Sequence, residues 1–340
     1  MIPFIEYYMI SPDPYRRVRY AGADRRDSNL AVSNMKRFFP KISKEEYENF
    51  VGSNPVFNEM LDIVQRAFQR WYDYDCADIF LNNNYQKSFN SYAYVDQINP
   101  VFIHIDQLLE TIILNFMFIT LKWAKESEKG VDEKGYFVYM VYLMNELCIF
   151  GELPAEDAKS ALMEKMDNDL QIMNLASDCH WGIMVFNAAH EIAHAYQMFI
   201  NPKYWKEHPK EAEFDADAIA YDILLRLIMD RQEKNLILQE YVYLAPMMYM
   251  DFFDLYYYTD YILYGTVYSS LTHPTPEERK ASLFTLVERE VYQLDTEEGN
   301  AIYQYFCQIY DRYIEKLPEY KKKGKLDSII HNELRRRDSI

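Results

Sequence analysis

Apolar residues recur three and four positions apart through most of the chain, the period of a helix with one buried face. This pattern predicts helices over Asn58–Tyr72, Tyr136–Phe150, Ala155–Leu175, Gly182–Ile200, Pro209–Asp230, Leu236–Tyr264, Pro276–Gln293 and Asn300–Lys316. Local signals set several ends. Ser43-Lys44-Glu45-Glu46 reads as a capping box opening a helix. Asn201-Pro202 stops the helix before it, because a residue preceding proline avoids helical geometry. Pro209 suits a first helical turn, and Pro246 predicts a bend in its helix. The period falls to two only in Ser91–Val95 and Val101–Ile105, separated by Asp96–Pro100, which predicts a β-hairpin. Asp106 then caps a helix reaching Lys125. The expected fold class is α+β, mostly helical, with this small hairpin. Residues 1–40 show little periodicity and read as an irregular arm or lid. The expected organisation is a mostly helical extension or lid over 1–87, a central domain over 88–295 and a C-terminal helical segment over 296–340 packed on it.

Composition and charge narrow the function. The 340 residues carry a net charge of −17, which repels phosphate backbones and argues against a nucleic-acid partner. Arginine clusters at residues 16–26 and 335–337 read as solvated chain ends. Two apolar stretches, Leu108–Leu121 and Tyr241–Tyr268, carry Glu110 and Asn115, and Asp251, Asp254 and Asp260, at mid-span. Such groups are costly in lipid, so both read as buried helices and no stable membrane insertion is expected. The N-terminus lacks a basic region followed by an apolar run, so no signal peptide is expected. Cys76, Cys148, Cys179 and Cys307 are scattered without a CxxC pair and read as buried thiols in a reducing, cytoplasmic setting.

The chemistry concentrates in His190-Glu191-Ile192-Ala193-His194. Residues four apart lie about 40° apart around a helix, so both imidazoles leave one face a turn apart and can reach one tetrahedral ion. Glu191 is rotated by about 100°, facing a water on that ion rather than the ion itself. The largely apolar flanks Met184–Ala189 and Ala195–Phe199 suit a buried active-site helix. A catalytic zinc site takes three protein ligands, and the next helix offers Glu211, Glu213, Asp215, Asp217 and Asp222. Glu213 shares its face with Ala216, Ala220 and Leu224, small or apolar residues that permit close approach to the motif helix. Glu213 is therefore assigned as third ligand. Asp217, one turn on, is assigned the outer ring N–H of a ligand histidine. The expected cofactor is one Zn2+ ion on His190, His194 and Glu213.

These residues resemble the gluzincin metallopeptidases, most closely the HtpX-like and CAAX-prenyl-protease-like branch. The resemblance covers about residues 88–285 in four blocks: Asn90-Ser91-Tyr92-Ala93 with Pro100–Ile105, His190–His194, Glu213-x-x-Ala216-Asp217, and His273-Pro274-Thr275-Pro276-Glu277-Glu278-Arg279. It implies a zincin-like peptidase domain over 88–295, with a small edge-strand sheet above the active-site helix. It also implies that an exposed strand, here Val101–Ile105, pairs with the extended substrate. Membrane-bound members carry transmembrane helices that this chain lacks, which argues against a prenylated substrate. The soluble architecture is also similar to that of the Lit-like phage-exclusion peptidases, which cleave a host translation factor.

The expected function is a soluble zinc endopeptidase acting on a protein or peptide. Zinc lowers the pKa of a water towards about 7, Glu191 takes its proton, and the proton passes to the leaving amine. His273 has two readings: the entry turn of a helix capped by Thr275 and Glu278, or an oxyanion donor. Arg279 either pairs with an acid or touches substrate, and a tyrosine from Tyr256 to Tyr268 is a further oxyanion candidate. The remaining histidines, His104, His180, His208 and His331, read as structural or exposed. The rival is a catalytically silent, zinc-stabilised regulatory or defence module. Retention of Glu191 argues against it, because only catalysis needs that carboxylate.

Overall fold

A computed structural model describes residues 55–76, 79–82, 91–96, 99–105, 107–130, 134–145, 169–233, 240–270, 272–290 and 297–323. The expected arm over 1–40, the Ser43–Glu46 capping box, most of the Ala155–Leu175 helix, Cys148, His331 and both arginine clusters lie outside these residues. In chain order the elements are α1 (Pro55–Tyr72), β1 (Ile79–Asn82), β2 (Ser91–Asp96), β3 (Asn99–Ile105), α2 (Gln107–Glu128), α3 (Lys134–Tyr142), α4 (Leu170–Ile200), α5 (Tyr204–Glu207), α6 (Pro209–Glu233), a 3-10 turn (Glu240–Leu244), α7 (Ala245–Tyr264), α8 (Pro276–Glu290) and α9 (Glu297–Lys322).

The axis of the molecule is α4. Its 31 residues are apolar almost all round, the mark of a helix enclosed by others. It packs against α6, α2, α7, α1 and the sheet. Asp169 caps its start, accepting from the Ile172 N–H at 3.4 Å while Lys122 and Lys125 of α2 bind the same carboxylate at 3.2 and 2.8 Å. The expected interruption between Leu175 and Gly182 is absent. Gly182 instead lets the 3-10 turn approach: a Cβ there would lie 2.7 Å from Val242 Cγ1 and 2.9 Å from Ala245 Cβ. On α6, Ala212, Ala216 and Ala220 are buried one turn apart and form the surface that meets α4. Val64 and Phe68 of α1 and Phe306 and Tyr313 of α9 belong to the same core as α4.

The expected fold class, an α+β zincin-like domain with a β-hairpin/edge-strand sheet above the active-site helix, is corrected. The described residues are overwhelmingly helical, and the few extended ones do not form that hairpin edge. The strand order is β1-β3-β2, with β1 parallel and β2 antiparallel to β3. Val101–Ile105 is thus the central strand, its backbone groups shared with neighbours on both sides, and it cannot be the exposed strand that receives a substrate. The cause is β1. Ile79 lines up with Val101 and Leu81 with Ile103, and a four-residue strand carries too little alternation to register as a pattern.

Other differences are local. Pro246 does not bend a helix; it sits in the first turn of α7, where a missing N–H is harmless, and the described residues just before it, Glu240–Leu244, form the 3-10 turn. Four residues of the Asn201–His208 connection form the short helix α5. Among the described residues no helix is long and apolar enough to cross a membrane. Cys76 and Cys179 are buried free thiols, and burial pushes the Cys76 thiol up to about 12.

Candidate metal centre

His190 and His194 leave α4 one turn apart, and Glu213 faces them from α6. All three are buried, and one ligand atom from each lies within 4.8 Å of the others. The two Nε2 atoms are 3.0 Å apart. Glu213 straddles them, Oε2 at 3.4 Å from His190 Nε2 and Oε1 at 3.4 Å from His194 Nε2. Ligand atoms about 2.0–2.1 Å from a common ion at tetrahedral angles lie roughly 3.3 Å from one another. The observed spacings match that edge.

Tautomers strengthen the case. His190 Nδ1 lies 2.9 Å from Asp217 Oδ1, an acceptor, so its proton sits on Nδ1. Gln197 donates its Nε2 to the Ala212 carbonyl at 2.7 Å, which turns its Oε1 towards His194 Nδ1 at 3.2 Å. Both neutral rings therefore carry Nδ1–H and aim Nε2 lone pairs at each other and at a carboxylate. Three acceptors converging in a buried space require a cation between them. In the metal-free protein a proton fills that role. Burial alone would lower the His190 pKa, but its hydrogen bonds to Asp217 and Glu213 prevail and push it up to about 9.

Arg279 of α8 closes the rear of the site. It grips Asp217 with two bonds, Nε to Oδ2 at 2.7 Å and Nη2 to Oδ1 at 2.5 Å. Asp217 is fully buried; desolvation works against its charge, but Arg279 and His190 together hold its pKa below the usual range. Lys280 fixes α8 to α7 through Asp251 at 2.5 Å, and Tyr303 of α9 donates to the same carboxylate at 3.0 Å. Two other acids of α6 are engaged elsewhere. Asp215 accepts from Tyr204 at 2.8 Å, and Asp222 binds Arg226 and Tyr72.

His273 lies in the entry turn of α8 and beside the candidate centre. Thr275 and Glu278 form the reciprocal cap of α8, at 2.8 and 3.1 Å, which fixes the entry turn. The exposed His273 ring also reaches the site, Nε2 lying 3.4 Å from Glu213 Oε1. Arg279 pairs with an acid, the structural alternative. Glu191 is buried on α4. Tyr256 and Tyr268 bond each other, and Tyr268 donates to Asp260 at 2.5 Å, so these hydroxyls are already occupied. His180 is buried away from the centre and His208 is exposed. Sequence reasoning missed Gln197. Its three-residue spacing from His194 was a signal, but its other partner is a backbone atom of α6.

No protein-family model matches this chain, no curated protein matches it, and no solved structure matches it. The functional reading therefore stands on the residues alone.

Proposed function

We propose that this protein is a zinc-dependent endopeptidase of the gluzincin type, with His190, His194 and Glu213 as ligands. The observation that carries the reading is the convergence of two Nε2 lone pairs and a carboxylate at tetrahedral spacing, with Glu191 adjacent on the same helix. Two imidazoles and one carboxylate fit zinc and leave a coordination position open, the pattern of catalytic rather than structural sites. A zinc ion held there supplies Lewis acidity to a water and to the scissile carbonyl.

The protein's own groups do the rest. Glu191 takes one proton from the attacking water as the new C–O bond forms. It returns that proton to the amide nitrogen as the C–N bond breaks, leaving a carboxylic acid and an amine. His273, its Nδ1 bonded to Thr272 Oγ1 at 2.8 Å, keeps its Nε2 N–H for the developing oxyanion. Asp217, held by Arg279, orients His190, and Gln197 orients His194. The acidic surface and buried thiols suit a cytoplasmic enzyme acting on protein.

The test compares wild type with Glu191→Gln in cells by cataloguing new protein N-termini. The substitution is expected to keep zinc and abolish cleavage. Identical N-termini in both, with zinc bound, would establish a silent zinc-stabilised module instead.

A further inference from the structure

Asn187 stands on α4 one turn before Glu191 and about 40° from it around the helix. It is buried, 3% exposed. Its Oδ1 accepts from Ser91 Oγ at 2.9 Å, and Ser91 is the first residue of β2. The same serine hydroxyl bonds Tyr249 of α7, whose buried ring lies close enough to Glu191 for its charge to act on the phenol. Ser91, Asn187, Tyr249 and Glu191 thus form one polar strip joining the sheet edge to the general base. Within that strip Asn187 Nδ2 has no partner among the described residues. Buried amide N–H groups are rarely left unmade in folded proteins, and an orphan beside a reaction centre marks a place where a ligand completes the bond. The fixed orientation matters here. Because Ser91 engages the carbonyl end of the amide, the donor end is the one left over.

We infer that Asn187 is a substrate-binding residue of this site, its Nδ2 donating to a main-chain carbonyl oxygen of a peptide running between β2 and Glu191. The inference rests on the peptidase reading above and assigns that enzyme a contact to the peptide backbone rather than to a side chain. It therefore helps set the register of the chain without selecting its sequence. Ser91 is the positioning residue, fixing which end of the Asn187 amide is left to donate.

The test uses the zinc-loaded full chain and two probes, acetohydroxamate and N-acetyl-dileucine hydroxamate, with affinities measured by titration calorimetry. Both probes present the same metal-binding group, and only the second presents peptide carbonyls. Wild type is expected to prefer the peptidyl probe. Asn187→Ala should reduce that preference about tenfold, the worth of one such hydrogen bond with its desolvated partner, while leaving acetohydroxamate affinity and zinc content unchanged. Ser91→Ala, which keeps the Asn187 donor but frees the amide to turn, should lower the preference in the same direction, with acetohydroxamate affinity and zinc content again unchanged. An undiminished preference in Asn187→Ala overturns the assignment and leaves the peptidase reading standing. Equal affinity of wild type for both probes would remove the peptide-binding reading itself, and this inference with it.

Discussion

Two hydrogen bonds decide what the histidine pair can do. Asp217 and Gln197 each hold an Nδ1–H, so both Nε2 lone pairs are presented to one point. Gln197→Leu frees the His194 ring to rotate or change tautomer. Zinc affinity is expected to fall by about 10–100-fold, as losses of outer hydrogen bonds to metal ligands do. Competition with a chromophoric chelator measures it, and unchanged affinity would show that the helix alone orients the ring. Asp217→Asn acts twice. It weakens the hold on His190 and strands the buried Arg279 guanidinium without its counter-charge. The second effect predicts a loss of about 3–5 kcal/mol in the urea stability of the metal-free protein. Arg279→Met combined with Asp217→Asn should recover part of it, which separates the stranded charge from the lost histidine bond. At this scale the sequence was most informative. The histidines follow from helical angles, and Glu213 and Asp217 from the small and apolar residues that share their face. Gln197 does not, because its anchor is the Ala212 carbonyl on another helix, and backbone atoms carry no sequence signature.

Helices bring these residues together only because their facing surfaces are small. Ala212, Ala216 and Ala220 let α6 lie against α4, and Gly182 lets the 3-10 turn before α7 settle near the other end. Gly182→Ala therefore sets two effects against each other. Helix propensity gains about 1 kcal/mol, but the new methyl meets Val242 Cγ1 at 2.7 Å and the Val242 carbonyl oxygen at 3.3 Å. Overpacking of this kind costs about 1–3 kcal/mol, so a net loss and a lower urea midpoint are expected. A raised midpoint would mean that the 3-10 turn yields easily. Elements were legible where a proline marked the first turn, as Pro209 does in α6 and Pro276 in α8. The sheet was not. Ser91–Val95 and Val101–Ile105 carry the alternation of a hairpin, and nothing in them reveals that Ile79–Asn82 pairs on the far side of β3. Pairing between strands is decided by chain path and burial, so Val101–Ile105, an edge by its own pattern, lies between two neighbours. Likewise, the stretch between Leu175 and Gly182 falls outside both helices expected there, but packing on all sides carries α4 through it.

The whole molecule is tied across its centre by whatever occupies the space between α4 and α6, with α8 locked behind it through Arg279. An ion bound only by the folded state stabilises it by mass action, and the pH dependence of that gain follows from the ligands. In the metal-free protein His190 keeps a proton up to about pH 9, held by Asp217 and Glu213 against the pull of burial. Its folded pKa lies above the ordinary value of about 6.5, so protonation favours folding. That stability is fully present below about pH 6.5 and is lost as pH rises through about 9. Zinc bound there would replace the proton and remove this titration, because a bound imidazole nitrogen cannot be protonated. The thermal midpoint of the metal-free protein should therefore decline from pH 6.5 to 9, while that of the zinc-loaded protein changes less, and the gap between them should widen steadily. His190→Gln removes the titrating ring and should flatten the metal-free curve across the same interval. Differential scanning fluorimetry with and without a chelator, at fixed ionic strength, measures both curves. A gap that stays constant across this range would mean that the proton and the metal do not compete for the same nitrogen, and the proposed ligand set would need to be replaced.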